Sequence, residues 1–152
     1  MQDYDAFVAS KRRAEVATGH KPGDLNEHLF DFQHAIVEWA IRRGRAAIFA
    51  DTGLGKTLMQ LSWAAEVASQ TGGMVLVLAP LAVSEQTIEQ GRTFGIEVSR
   101  VPQGGTPTGP GVWITNYERM DAIDFTELMN HFGGRVWLEQ AINRLHKRVF
   151  GK

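Results

Sequence analysis

An α/β fold is predicted, with a mostly parallel sheet covered by helices on both faces. Three observations predict it. The run Met74–Ala79 is apolar throughout, as a strand buried on two faces requires. Segments with helical apolar spacing alternate with such runs, which argues for parallel strands linked by crossover helices. A Gly-rich turn, Ala50-Asp51-Thr52-Gly53-Leu54-Gly55-Lys56-Thr57, joins one apolar run to one helical segment.

The elements follow in chain order. Residues 3–17 have helical character around a charged centre, Lys11, Arg12, Arg13 and Glu15, read as a solvated face. Thr18 to Asp24, with Gly19, Pro22 and Gly23, is a loop. Apolar residues then recur at helical spacing from Glu27 to Arg43, through Leu29, Phe32, Ile36, Trp39 and Ala40. Gly44 ends that helix as a C′ glycine. Ala46-Ala47-Ile48-Phe49-Ala50 reads as a first, buried strand, and a helix follows from Lys56 to about Ser69.

Met74–Ala79 is the second strand, stopped by Pro80. A helix is expected from about Val83 to Phe94, a short strand over Ile96 to Val101, and a surface loop from Pro102 to Gly111. Val112-Trp113-Ile114-Thr115 is another strand, so the sheet should hold about four or five. Trp39 and Trp63 fall on apolar helical faces and are expected in the core, with Trp113 packed too. Phe125 to Phe132 reads as helical, and Arg135 to Phe150 as amphipathic, with Leu138, Ile142, Leu145 and Val149 on one side. Three regions result: 1–24 as a helix and loop, 25–124 as the α/β unit, and 125–152 as a divergent helical tail.

Bulk properties exclude several function classes. At 152 residues and 43% hydrophobic content, one domain with a sizeable core is expected. A net charge of -1 gives no global attraction to nucleic acid, though a local groove could still bind it. The absence of cysteine removes disulfides and thiolate metal sites. The five histidines are scattered without ligand spacing. No apolar run approaches the ~18 residues that span a membrane, and Met1 is followed by polar residues rather than a secretory signal.

The segment 50–57 carries the chemistry. Glycines let a backbone fold around an anion so that successive N–H groups face it. The following helix adds its positive N-terminal end. The pattern G-x-x-x-x-G-K-[ST] is met except that Ala50 stands at the first glycine. By that pattern Asp51, Thr52, Gly53, Leu54, Gly55, Lys56 and Thr57 bind phosphates. Lys56 reaches the β- and γ-phosphates as the catalytic cation, and the Thr57 hydroxyl holds Mg²⁺.

Four segments in this order resemble the first, RecA-like lobe of a superfamily 2 helicase, most similar to Snf2-type and phage-type members. The resemblance covers about residues 25–124. Ala50–Thr57 is similar to the family's first motif. Phe32-Gln33 resembles the adenine-recognising glutamine motif, whose amide has one acceptor and two donors to offer. Leu78-Ala79-Pro80-Leu81-Ala82-Val83 and Ile114-Thr115-Asn116-Tyr117-Glu118 resemble motifs that touch the nucleic-acid backbone. The resemblance implies ATP and Mg²⁺ as cofactors, with Gln33 on adenine. It also implies nucleic acid, DNA rather than RNA, near Pro80, Ser84, Thr115, Asn116 and Tyr117. A cytoplasmic setting in a bacterial or phage-infected cell accords with it.

The resemblance stops at hydrolysis. The family requires an Asp-Glu pair at the end of a later strand, and this chain contains no Asp-Glu dipeptide. Ala122-Ile123-Asp124 is the nearest substitute but has too short an apolar run, and Asp121, Glu127 and Glu139 fit no better. There is no room for a second lobe or its arginine finger, worth about 10³–10⁵ in rate. The expectation is a module that binds nucleotide and DNA but hydrolyses poorly. The alternative is a non-enzymatic regulatory module derived from such a lobe. A small P-loop kinase would need an Arg-rich lid and an acceptor pocket, and neither is evident. A missing sheet strand would leave an apolar edge, to be covered by the 135–150 helix or by a protein partner.

Overall fold

The unbroken apolar run Met74–Ala79 forms β1, and all six of its residues are buried. In the computed structural model, residues 17–123 are described. Their elements are α1 (Asp31–Arg43), α2 (Lys56–Thr71), β1, α3 (Leu81–Thr93), β2 (Val98–Arg100) and β3 (Gly111–Asn116). A 3₁₀ helix, Tyr117–Ala122, follows β3. The expected helices at 125–132 and 135–150 lie outside the described residues, as do Asp124 and all of the expected 3–17 helix but Ala17.

The sheet is parallel, with strand order β1-β3-β2. β1 and β3 run in register from Met74 opposite Gly111 to Ala79 opposite Asn116. The protein is therefore α/β, with a small three-stranded parallel sheet among the described residues.

One predicted strand is corrected. Residues 46–50 form no strand, and Phe49 is 94% exposed. A strand exists only where a neighbour accepts its backbone hydrogen bonds. Among the described residues β1 pairs with β3 alone, so 46–50 has no ladder to join. The sheet accordingly has fewer strands here than the four or five expected.

Two apolar clusters cover the sheet. One joins Leu58, Leu61, Ala64 and Val67 of α2 to Val75, Val77, Val112 and Ile114. The other groups Met74, Leu76 and Leu78 with Val101 and Ile123. The alternation 74-76-78 against 75-77-79 is the two-residue period of a strand whose two faces are both buried. α2 is also flanked by α1, through Val37, Ile41 and Met59. That explains why α2 buries Gln60, Ser62 and Glu66 as well as its apolar residues.

The face of α1 is rotated from the expectation. Gln33, Val37, Ala40 and Ile41 are buried, whereas Phe32 and Trp39 are about half exposed. Trp39 is thus corrected from core to surface. Trp63 packs beside two clusters, and Trp113 lies against the second, with its indole N–H on the Gly109 carbonyl at 3.2 Å. Gly44 caps α1 as anticipated, at φ 80°, its N–H shared between the Ala40 and Ile41 carbonyls.

Candidate phosphate-binding site

The loop before α2 gets its shape from two left-handed glycines. Gly53 has φ 82° and Gly55 φ 70°, a region other residues rarely enter. Gly55 is the N-cap of α2, and its carbonyl accepts the Met59 N–H at 3.2 Å. The first turn of a helix leaves N–H groups without intrahelical partners, so those of Lys56 and Thr57 emerge at the loop. They lie at the positive end of a helix of 16 residues, where an anion is stabilised.

Lys56 folds back over this loop. Its ammonium donates to the Ala50 carbonyl at 3.0 Å and to the Asp51 carbonyl at 2.7 Å. The cation is therefore held inside the bend of the loop rather than out in solvent. Asp51 is turned to its neighbour, its carboxylate accepting the Thr52 N–H at 2.7 Å. Thr52, Gly53 and Leu54 are exposed, and Lys56 and Thr57 are half-buried.

Gln33 reaches this loop from α1. Its amide N–H donates to the Leu54 carbonyl at 3.0 Å, and its amide oxygen accepts the Phe30 N–H at 2.9 Å. The second bond satisfies a backbone donor at the start of α1, as a capping residue at the third helical position does. A Cβ on Gly55 would displace the Gln33 amide nitrogen from the loop, and its positive φ would strain any other residue. Gln33, linked to adenine by the resemblance to the glutamine motif, is 3% exposed and bonded on both sides. Its role as a brace on the loop was missed because it depends on the meeting of two segments distant in sequence.

The strand-end residues come together in part. Because Ala79 stands opposite Asn116, Pro80 and Tyr117 leave the sheet at the same edge. Ser84, however, is buried, and its hydroxyl donates to the Pro80 carbonyl at 3.2 Å. Asn116 is buried too, its side-chain oxygen capping the Arg119 N–H at 3.0 Å. Thr115 is buried, and its hydroxyl has no hydrogen-bond partner among the described residues. Leu81, Ala82 and Val83, beside Pro80, are all exposed.

Among the described residues, no three His, Asp or Glu side chains gather as a metal site, and no helix is long and apolar enough to cross a membrane. No protein-family model and no curated protein sequence matches the chain.

Proposed function

We propose that this chain binds the phosphates of a nucleotide, ATP with Mg²⁺, at residues 50–57, as a module similar to the first RecA-like lobe of a superfamily 2 helicase. The observation that carries the reading is the loop itself. Two left-handed glycines, a helix N-terminus and an inward-held lysine converge within five residues. Lys56 leaves its two carbonyls to meet phosphate oxygens, exchanging neutral acceptors for charged ones. Gly55, Lys56 and Thr57 supply backbone N–H groups, and Gln33 keeps the loop from collapsing away from α1. Mg²⁺ would be held by the Thr57 hydroxyl and the nucleotide's own phosphates. When bound, Mg²⁺ neutralises phosphate charge. Nucleic acid, DNA by the resemblance, would track the strand ends near Pro80 and Tyr117.

The absence of an Asp-Glu dipeptide favours a second reading, a non-enzymatic module that binds nucleotide or DNA and regulates a larger partner. DNA-stimulated ATP turnover separates the two. Calorimetric titration of Mg–ADP into the chain and into Lys56→Ala tests what both share. Saturable binding weakened at least tenfold in Lys56→Ala supports the proposal; no binding by the folded wild type overturns it.

A further inference from the structure

One edge of the sheet is buried without a described strand beside it. In a parallel ladder, alternate residues of a strand turn their backbone N–H and C=O groups to alternate sides. The Gly111 N–H bonds the Gly73 carbonyl, and the register runs on from Met74 opposite Gly111. Val75, Val77 and Ala79 therefore turn their backbone groups to β3, and Met74, Leu76 and Leu78 turn theirs away from it. Among the described residues, no hydrogen bond reaches the backbone of these three. A solvated edge would need none, but Leu76 is 3% exposed and Leu78 0%. Buried backbone groups are nearly always paired. A docked helix cannot pair them, because its own N–H and C=O groups are used along its axis. A strand offers a whole row of free groups at the right spacing.

We propose that Arg135-Val136-Trp137-Leu138, outside the described residues, is the strand that pairs with this edge, parallel to β1. Four observations favour it. The described chain ends at Ile123, buried in one cluster with Met74, Leu76 and Leu78. Residues 117–134 separate the end of β3 from Arg135, longer than the dozen or so residues a parallel crossover needs. The sequence order that produces β1 also recurs. α2 ends, Gly72-Gly73 follow and β1 begins; after the helical pattern of 125–132, Gly133-Gly134 follow and a new apolar run begins. Valine and tryptophan, at 136 and 137, favour strands. Ile142, Leu145 and Val149 keep their helical spacing, so the expected C-terminal helix starts after the strand, at Glu139. The sheet is thus completed from its own chain, and this edge needs no protein partner. The inference is independent of the phosphate-loop reading.

The test uses the full chain labelled with ¹⁵N and ¹³C. Backbone NOEs should join 135–138 to Met74–Leu78 in the pattern of parallel strands. The Leu76 and Leu78 amides should exchange within about tenfold of those of Val75 and Val77, as members of one cooperative unit do. Val136→Pro and Trp137→Pro give the signature of a strand. Alternate residues face β1, so one substitution removes a ladder bond and the other points its missing N–H outward. One should speed Leu76 and Leu78 exchange by at least about a hundredfold, and the other by less than about tenfold. Should neither variant fold, the wild-type NOEs decide. Free exchange at Leu76 and Leu78 in the wild type overturns the proposal, as do helical shifts through 135–138 or equal effects of the two substitutions. NOEs from another segment of the chain overturn the assignment. NOEs seen only between labelled and unlabelled chains in a mixed sample assign the edge to a second copy and overturn it too.

Discussion

Replacing Gln33 separates the brace from the phosphate site it supports. The side chain makes two hydrogen bonds, to the Phe30 N–H and to the Leu54 carbonyl. Each is worth about 0.5–1.5 kcal/mol net. Both partners belong to residues with exposed surface, so water can reach part of what the deletion frees. Gln33→Ala should therefore cost about 2 kcal/mol, including the lost contacts of a buried side chain. Gln33→Glu isolates the loop bond. Its carboxylate still accepts from Phe30, but it presents an oxygen instead of an N–H to the Leu54 carbonyl. The loop bond is lost and a buried charge is left facing a carbonyl oxygen, so the cost should exceed the about 1 kcal/mol of one hydrogen bond. Protonation restores an O–H donor, and burial raises that carboxyl above its ordinary value, so the gap between Gln33→Glu and wild type should narrow as pH falls toward about 4.3. Urea unfolding at several pH values measures the stabilities, and amide exchange at Leu54, Gly55 and Lys56 measures the loop. Equal stability and equal exchange for wild type and Gln33→Glu at neutral pH would refute the brace.

Three further outcomes are expected. Gly55→Ala forces a left-handed alanine against the Gln33 amide and should destabilise by roughly 1–3 kcal/mol, with the loop's amide exchange rising first. Ile114, fully buried on the α2 face of the sheet, should cost about 2–5 kcal/mol when cut to alanine, read as a lower urea midpoint with an unchanged slope. The Arg42 hydrogen bond, and to a lesser degree the Arg42 and His34 charges, hold the Glu38 carboxyl below its ordinary value against a weaker opposing effect of desolvation. A lowered folded-state pKa gives stability that is present above the unfolded value and lost as pH falls through the folded one. Glu38→Gln should therefore flatten a small part of the acid limb of the stability–pH curve and leave neutral stability nearly unchanged.

The parts of the fold that depend on local chemistry were legible in the sequence. β1 ends at Pro80 because proline has no N–H for a ladder, and α1 ends at Gly44 because its φ is positive. The α2 start at Lys56 followed from the Gly-rich turn. What depended on partners was not legible. The run 46–50 is as apolar as a strand, but pairing decides whether it is one, and pairing cannot be read from one segment. The face of α1 was misjudged by about one residue because Phe32 and Trp39 outrank Gln33 in hydrophobicity. The bond from Gln33 to Leu54 instead draws that amide inward and turns the two aromatics out. The same limit applies at the strand ends. Ser84, Thr115 and Asn116 are residue types that bind phosphate well, yet burial depends on the neighbouring turn, which the sequence pattern does not encode.

The central claim is that residues 53–57 close around phosphate, and the most direct measurement is an NMR titration of the ¹⁵N-labelled chain with Mg–ADP. Saturable shifts should concentrate at the backbone amides of Gly53, Gly55, Lys56 and Thr57 and at the Gln33 side-chain amide, and should be lost in Lys56→Ala. Saturable shifts elsewhere with these amides unmoved, or no shifts at all from a well-dispersed spectrum, would contradict it.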